Sequence, residues 1–407
     1  MLLVQEYLET HSFAELAAEH GIYASFSKSG HKWSMNYDQI EAKESNPLAQ
    51  QCRGVVFAEE TGKSFKSQAI EVNDRLKYDH IIPGKTVVLA YPMDRFFNHG
   101  QGSAADVNWS DPNLAILEKL DGTLTILYYD IFTKEWCVAT RSCPDADIPL
   151  DGALFTFRTL FEKALLETAS KSFYEFTNEL YRTITYCFEL TSPYNRVVVD
   201  YKNSRLTLIA ARCIFSGKEI NIDNVDVYNV PHVQSHIFTN VTDLLDWVSN
   251  QNPLEHEGVV VRDSNFKRLK VKNASYVAFN RARDILGTSE RNCLELVLAG
   301  KEDDVIPALP PEIVERIVKI KYSVTAMFKD YDRTYNLLKY VADQINSGDK
   351  KTFAMMVNGY KDIWTAPMFS IYSGKMTNMK DFIAKNRNEG TWSNSFLDKV
   401  LMIIKNY

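Results

Sequence analysis

At 407 residues the chain exceeds one ordinary domain, and a prior of roughly 100 to 200 residues per domain predicts two, one larger than the other. Hydrophobic residues at 45% and charged residues at 24% match a soluble globular composition, which provides a core and excludes long disorder. The net charge of -6 excludes a protein that coats nucleic acid without specificity, because phosphate contacts need clustered Lys and Arg, but it permits a local basic groove.

The opening residues, MLLVQEYLETHSF, carry neither a basic region nor a long apolar run, and no stretch approaches the roughly 18 apolar residues of a membrane span. The expectation is a cytoplasmic protein, in the host cytoplasm if viral, with no membrane partner. Cys52, Cys137, Cys143, Cys187, Cys213 and Cys293 form no C-x-x-C pair, so neither a zinc site nor a disulfide framework is expected. Strand-like runs rich in β-branched and aromatic residues follow one another: CRGVVF at 52–57, KTVVLAY at 85–91, LTILYY at 124–129 and TITYCFEL at 183–190. Four more come at RVVVDY (196–201), RLTLIAARCIF (205–215), GVVVR (258–262) and RLKVK (268–272). Between them, Gly152 to Leu180 has few turn signals and helical apolar spacing. An α+β domain over 1–285 is predicted.

Past Asp284 the pattern turns helical. Pro310 and Pro311 precede Glu312, and Ile313, Ile317, Ile320, Val324, Met327, Tyr331, Tyr335, Leu338 and Ile345 recur at helical steps, predicting one long amphipathic helix to Asn346. Shorter helices are expected at Met376–Lys385 and Ser395–Lys405. Residues 286–407 thus read as a small all-α domain. Its tyrosines Tyr322, Tyr331, Tyr335 and Tyr340 are expected in the core, while Lys319, Lys321, Lys329, Arg333 and Lys339 are left to meet phosphates.

The segment Leu117-Glu118-Lys119-Leu120-Asp121-Gly122-Thr123 places Lys119 at a strand-to-turn junction. Lys-x-Asp-Gly alone is weak, since on the order of one chain in ten this long contains it by chance. Its company is more telling: Phe188-Glu189-Leu190 closes a strand, Glu257-Gly258 opens another, and Lys270-x-Lys272 lies on the next. Lys, Glu, Glu-Gly and Lys-x-Lys in this order resemble motifs I, III, IV and V of the covalent nucleotidyltransferases, the superfamily of ATP-dependent ligases and capping enzymes. Cys52-Arg53-Gly54-Val55-Val56-Phe57, Pro92-Met93-Asp94-Arg95-Phe96-Phe97-Asn98 and Ser192-Pro193-Tyr194-Asn195-Arg196-Val197-Val198 narrow the resemblance. With Tyr276 after motif V, they are similar to the T-even phage RNA ligase 1 family, which repairs tRNA. The match spans roughly residues 50 to 300.

The resemblance implies a nucleotidyltransferase domain of ATP-grasp-like ligase type with antiparallel sheets, followed by the helical domain as an RNA or tRNA specificity module. It implies ATP as cofactor with AMP held on Lys119, and Mg²⁺ or Mn²⁺ as metal. The expected substrate is RNA, a tRNA with a broken anticodon loop, and the functional partner is an end-healing polynucleotide kinase-phosphatase. Glu118, Lys119, Arg53, Arg95, Glu189, Glu257, Lys270, Lys272, Tyr276 and Asn36, with its neighbour Tyr37, are the residues expected at the nucleotide. The superfamily also admits a DNA ligase, a capping guanylyltransferase or a catalytically silent RNA-binding homologue.

Elementary chemistry asks for the same residue types. Attack on an α-phosphate needs a neutral amine, whereas lysine ordinarily titrates near 10.4, so burial and the cations Lys270 and Lys272 are expected to lower Lys119. Both lysines would also neutralise charge on the phosphate being transferred. Mg²⁺ keeps several waters and takes one or two carboxylate contacts, which Asp121, Glu189 and Glu257 are expected to supply, through water. Arg53 and Arg95 offer planar forks for phosphate, and Arg141 is a further candidate. The family usually has lysine at Arg95 and often at Arg141. His80, His99 and His256 lack metal-ligand spacing and read as ordinary histidines, His99 beside Phe96-Phe97 being the one to test.

Overall fold

The computed structural model describes residues 1–72, 75–150, 155–306, 309, 311–346, 348–358, 365–387 and 392–407. The chain divides into two compact units, Met1–Val277 and Ala278–Tyr407. The division falls within the helix Ala274–Thr288.

The first unit is built on three larger sheets, with a two-stranded one of Ile70–Val72 and Arg75–Lys77. Ile22–Phe26, Lys32–Tyr37, Arg53–Glu59 and Thr86–Ala90 form an antiparallel sheet in that order. A second sheet runs Glu135–Thr140, Thr123–Asp130, Ile184–Thr191, Arg205–Cys213 and Glu219–Ile220, also antiparallel. The third runs Ser235–His236, Ala115–Glu118, Gly258–Arg262, Arg268–Lys272 and Phe97–Asn98. Its last pair is parallel, so this sheet is mixed, while the other pairs are antiparallel as expected. Alternation along the strands sends Leu127, Tyr186, Phe188, Leu206 and Leu208 into one fully buried cluster, covered by the helix Phe157–Ala169 through Leu160, Phe161, Ala164 and Leu165.

Two expected elements are different. Gly152 to Leu180 is not one helix: Phe157–Ala169 ends at Ser170, whose φ of 56° is left-handed, and Phe173–Thr177 starts again from the Ser172 cap. Gly152 and its next two residues lie outside the described ones. RVVVDY at 196–201 is not a strand, because the N–H groups of Val198 and Val199 both donate to Asp121 Oδ2, at 2.7 Å, instead of to a neighbouring strand.

The described residues of the second unit are helices and connecting turns. The long helix is Pro311–Ile345, with Ile313, Ile317, Ile320, Val324, Met327 and Tyr331 on its buried stripe; Pro310 lies outside the described residues. Tyr322 and Tyr340 fall off that stripe and are exposed, against expectation. Lys321 is paired with Glu302 and Asp303, and Lys339 with Asp343, so these two cations are less available than the sequence implied. Met379–Lys385 and Asn394–Ile404 complete the core. No helix among the described residues is long and apolar enough to cross a membrane.

Candidate active site

Lys119 follows the last residue of Ala115–Glu118 and precedes Thr123–Asp130 by a short turn, so it sits where the chain passes from the third sheet to the second. Its N–H donates to the Gly258 carbonyl at 2.9 Å, which ties the turn to the start of Gly258–Arg262. Both glycines of the motifs are required by close backbone approach. A Cβ on Gly258 would lie 2.1 Å from the Val271 carbonyl oxygen, at a φ of 140°, and one on Gly122 would lie 2.4 Å from that of Leu190.

Around this turn lies a cavity of about 250 Å³, lined by residues of all three sheets, among them Arg53, Phe96, Glu118, Lys119, Arg141, Glu189, Lys270 and Lys272. At its edge Glu257, 4% exposed, bridges two lysines: Oε2 accepts from Lys119 Nζ and Oε1 pairs with Lys272 Nζ, each at 2.7 Å. Glu189 Oε1 accepts from the Gly122 N–H at 3.1 Å. Arg53 is held over the Phe96 ring at 4.9 Å, and its buried Nη1 has no hydrogen-bond partner, a donor suited to an anion.

Electrostatics in the cavity correct one expectation. Burial pushes Lys119 down, but the charges of Glu257 and Glu189 outweigh it and hold the ammonium above the ordinary lysine value. Lys270 is the lowered lysine, at about 6, because of burial and the cations Arg53, Lys119 and Lys272 around it. Burial also raises Glu189 to about 7, with the charge of Glu257 adding to it. Burial works against the Glu257 carboxylate too, yet Lys119 and Lys272 hold it below the usual range.

Not every expected residue lines the cavity. Asp121 departs from the metal-ligand expectation: Oδ1 accepts from the Tyr276 hydroxyl at 2.6 Å and Oδ2 from Val198 and Val199, so the carboxylate locks the turn from behind. Tyr276, 2% exposed, is accordingly part of that lock and not of the lining. Asn36, in register with Arg53, and Arg95, stacked 4.0 Å over the Tyr37 ring, belong to the first sheet's flank and not to the lining. Arg141 does line it, 5.5 Å from Tyr37. His99 gives its N–H to the Lys270 carbonyl at 2.7 Å and so fixes that strand's position. Among the described residues no group of three His, Cys, Asp or Glu side chains could hold a metal ion. A cation would have two carboxylates, Glu189 and Glu257, and that suits a hydrated Mg²⁺ or Mn²⁺.

With this geometry, comparison with known proteins is informative. The chain is similar in sequence to viral RNA ligases. It is 25% identical over 338 residues to an RNA ligase of Rhodothermus phage RM378, a match covering 68% of this chain and 75% of that protein. It is 27% identical over 288 residues to a putative bifunctional polynucleotide kinase/RNA ligase of Autographa californica nuclear polyhedrosis virus, covering 68% of this chain and 37% of that one. An archaeal ATP-dependent RNA ligase structure aligns with a TM-score of 0.40 at 15% identity, over 68% of this chain and 64% of that one. No protein-family model matches.

Sequence reasoning missed the surroundings of Glu118. Its carboxylate accepts from His236 Nε2 at 2.5 Å and from His256 Nδ1 at 3.0 Å, so His256, read as an ordinary histidine, holds a residue of the lining in place. Gln39 and Met93 in the lining were missed as well, and Tyr201, whose hydroxyl accepts from the Asp121 N–H at 3.2 Å. His256, next to Glu257, and Met93, inside the run from Pro92 to Asn98, carried a signal in sequence through those motifs.

Proposed function

We propose that this chain is an ATP-dependent RNA ligase that joins a 5′-phosphate to a 3′-hydroxyl through AMP carried on Lys119. The observation that carries the reading is the Lys119–Glu257–Lys272 bridge at the mouth of a cavity that also contains Arg53 and Lys270. An amine, two carboxylates and three further cations are what phosphoryl transfer from a polyphosphate to a lysine requires. The viral relatives named as RNA ligases support the choice of RNA.

In the first step Lys119 Nζ forms a P–N bond to the α-phosphorus while the bond to the pyrophosphate oxygen breaks. An oxygen of an RNA 5′-phosphate then displaces lysine from that phosphorus, and a 3′-hydroxyl finally displaces AMP from the RNA phosphorus. In the resting site Lys119 is protonated and held by Glu257, which aims it but leaves it non-nucleophilic, so the ammonium must give up a proton to water before Nζ attacks. A divalent cation held by Glu189 and Glu257 would supply charge to phosphate oxygens and loosen the hold of Glu257 on the lysine. Arg53, Lys270 and Lys272 neutralise the polyphosphate and orient it. Asp121, through Tyr276 and the 198–199 backbone, keeps the turn rigid.

We assign the chain to RNA repair of the T-even RNA ligase 1 type, with a broken tRNA as substrate and a cytoplasmic site of action. The kinase named in the baculovirus relative supports a kinase-phosphatase as the source of 5′-phosphate ends. Lys119→Ala should abolish AMP attachment and joining of unactivated ends, yet leave some joining of chemically pre-adenylylated RNA. Normal joining of unactivated ends by that variant overturns the reading. GTP labelling in place of ATP would favour a capping enzyme, preference for nicked DNA a DNA ligase, and RNA binding without any nucleotide labelling a silent homologue.

A further inference from the structure

The first unit has a second, more open depression of about 670 Å³, with Lys163, Tyr194, Lys202, Asn203 and Arg205 in its wall. A third, of about 310 Å³, shares Lys202, Asn203 and Arg205 with it and reaches Glu118 and Leu120, which also line the cavity at Lys119. Shared lining residues place the three depressions next to one another, in a row that ends beside Lys119 and is called the trough below.

Its outer reach is built to present positive charge and an aromatic face. The helix Phe157–Ala169 fixes the backbone there: Glu167 Oε2 accepts from the Ser204 N–H and Thr168 Oγ1 from that of Leu206, each at 3.0 Å. Lys202, 80% exposed, pairs with Asp200 at the surface, and among the described residues Arg205 forms no ion pair. Lys163 lies 3.9 Å from Glu167, the acid in this wall, which is already engaged by the Ser204 backbone. Tyr194 is 45% exposed; Phe155 meets its ring edge-on at 4.9 Å, and its hydroxyl accepts from Lys163 Nζ at 3.1 Å. In a chain of net charge -6 such a cluster is not a by-product of overall basicity.

We propose that this trough holds the single strand of RNA that leads to its reacting end, with phosphates on Lys202 and Arg205 and a base stacked on Tyr194. The proposal rests on the ligase reading and adds where the strand lies. An anchored, exposed ring beside the surface cations Lys202 and Arg205 fits a strand with splayed bases, because a duplex hides base faces and an acidic peptide has no use for the ring.

The test uses the full chain and a labelled 5′-phosphorylated RNA of about 12 nucleotides, within the usual span of single-strand sites. Binding is measured without ATP across a salt series. A Lys202→Ala, Arg205→Ala double variant should bind roughly tenfold more weakly, and the slope of log affinity against log salt should fall by about 1.4, the value for two phosphates on a single strand. Tyr194→Ala should weaken binding with the slope unchanged, and Tyr194→Phe should restore it. ATP labelling of Lys119 and joining of a nucleoside 3′,5′-bisphosphate, too short to fill the trough, should stay at wild-type level in the double variant. Unchanged affinity and slope would overturn the proposal, as would an oligoglutamate peptide that competes as well as RNA. Failure of the wild-type chain to take AMP counts against the ligase reading alone, since the binding series needs no chemistry.

Discussion

Lys119 and Lys270 line one cavity but hold protons oppositely, because Lys119 faces the buried carboxylates of Glu257 and Glu189 while Lys270 is surrounded by Arg53, Lys119 and Lys272. This has a measurable consequence for nucleotide binding. In the free protein Lys270 titrates at about 6, so at pH 7 to 8 its amine is mostly neutral; bound phosphates raise it, and binding takes up a proton. Affinity for ATP should therefore fall as pH rises above about 6, until it passes the raised value in the complex. Calorimetry in buffers of different ionisation enthalpy should show proton uptake that vanishes in Lys270→Ala; buffer-independent heats would exclude it. Glu189 gives the opposite sign. At about 7 it is half protonated near neutrality, and a cation favours the carboxylate, so Mn²⁺ binding alone should release protons, and affinity should rise with pH up to about 7. Glu189→Gln should lose that release. These residues were legible from the order of motifs, but their protonation was not, because it depends on side chains brought together from positions more than a hundred residues apart in sequence. The hydrogen-bond donors that occupy Asp121 and Glu189 were not legible, since sequence shows a carboxylate but not what surrounds it.

At the scale of elements, Arg268–Lys272 shows how strand geometry divides labour among adjacent cations. Arg268, Lys270 and Lys272 alternate onto one face and all three line the cavity, yet Arg268 is engaged by Glu219, with bonds of 2.8 and 2.6 Å. Lys267 lies before the strand and its Nζ bonds the Asp106 carbonyl. Lys270→Ala and Lys272→Ala should each cut Lys119 labelling severely, and Lys267→Ala should leave it near wild type. Arg268→Ala should lower stability by about 3 kcal/mol, since it strands part of a buried carboxylate's charge. Denaturant titration combined with ATP labelling separates these effects; equal loss of labelling in Lys267→Ala would contradict them. Strands such as Gly258–Arg262 and Arg205–Cys213 were readable because they are short apolar runs rich in β-branched residues and are buried along most of their length. RVVVDY misled for a physical reason: its apolar pattern is strand-like, but Asp121 captures two of its amides.

At the scale of the whole molecule, the two units have separate hydrophobic clusters, that of the second unit running from Leu286 to Ile404. Lys119, Glu189, Glu257 and all the cavity's cations lie in the first. A chain ending at residue 288, where the helix from Ala274 stops, should still take AMP on Lys119, while its preference for a structured, broken tRNA over a linear oligonucleotide should fall. Aggregation of that shortened chain would instead assign the helices a covering role. The helical character of the second unit was legible from the period of Ile313 to Ile345, whereas the outward placement of Tyr322 and Tyr340 was not, since aromatic residues are expected inside.

The central claim is that Lys119 is the nucleophile. Incubating the purified chain with ATP and Mg²⁺ or Mn²⁺, then mapping the adduct by peptide mass spectrometry, tests it most directly. One AMP on Lys119, acid-labile as a P–N bond, is expected, and none on Lys119→Ala. An adduct on Lys270 or Lys272, or undiminished labelling of Lys119→Ala, would contradict it.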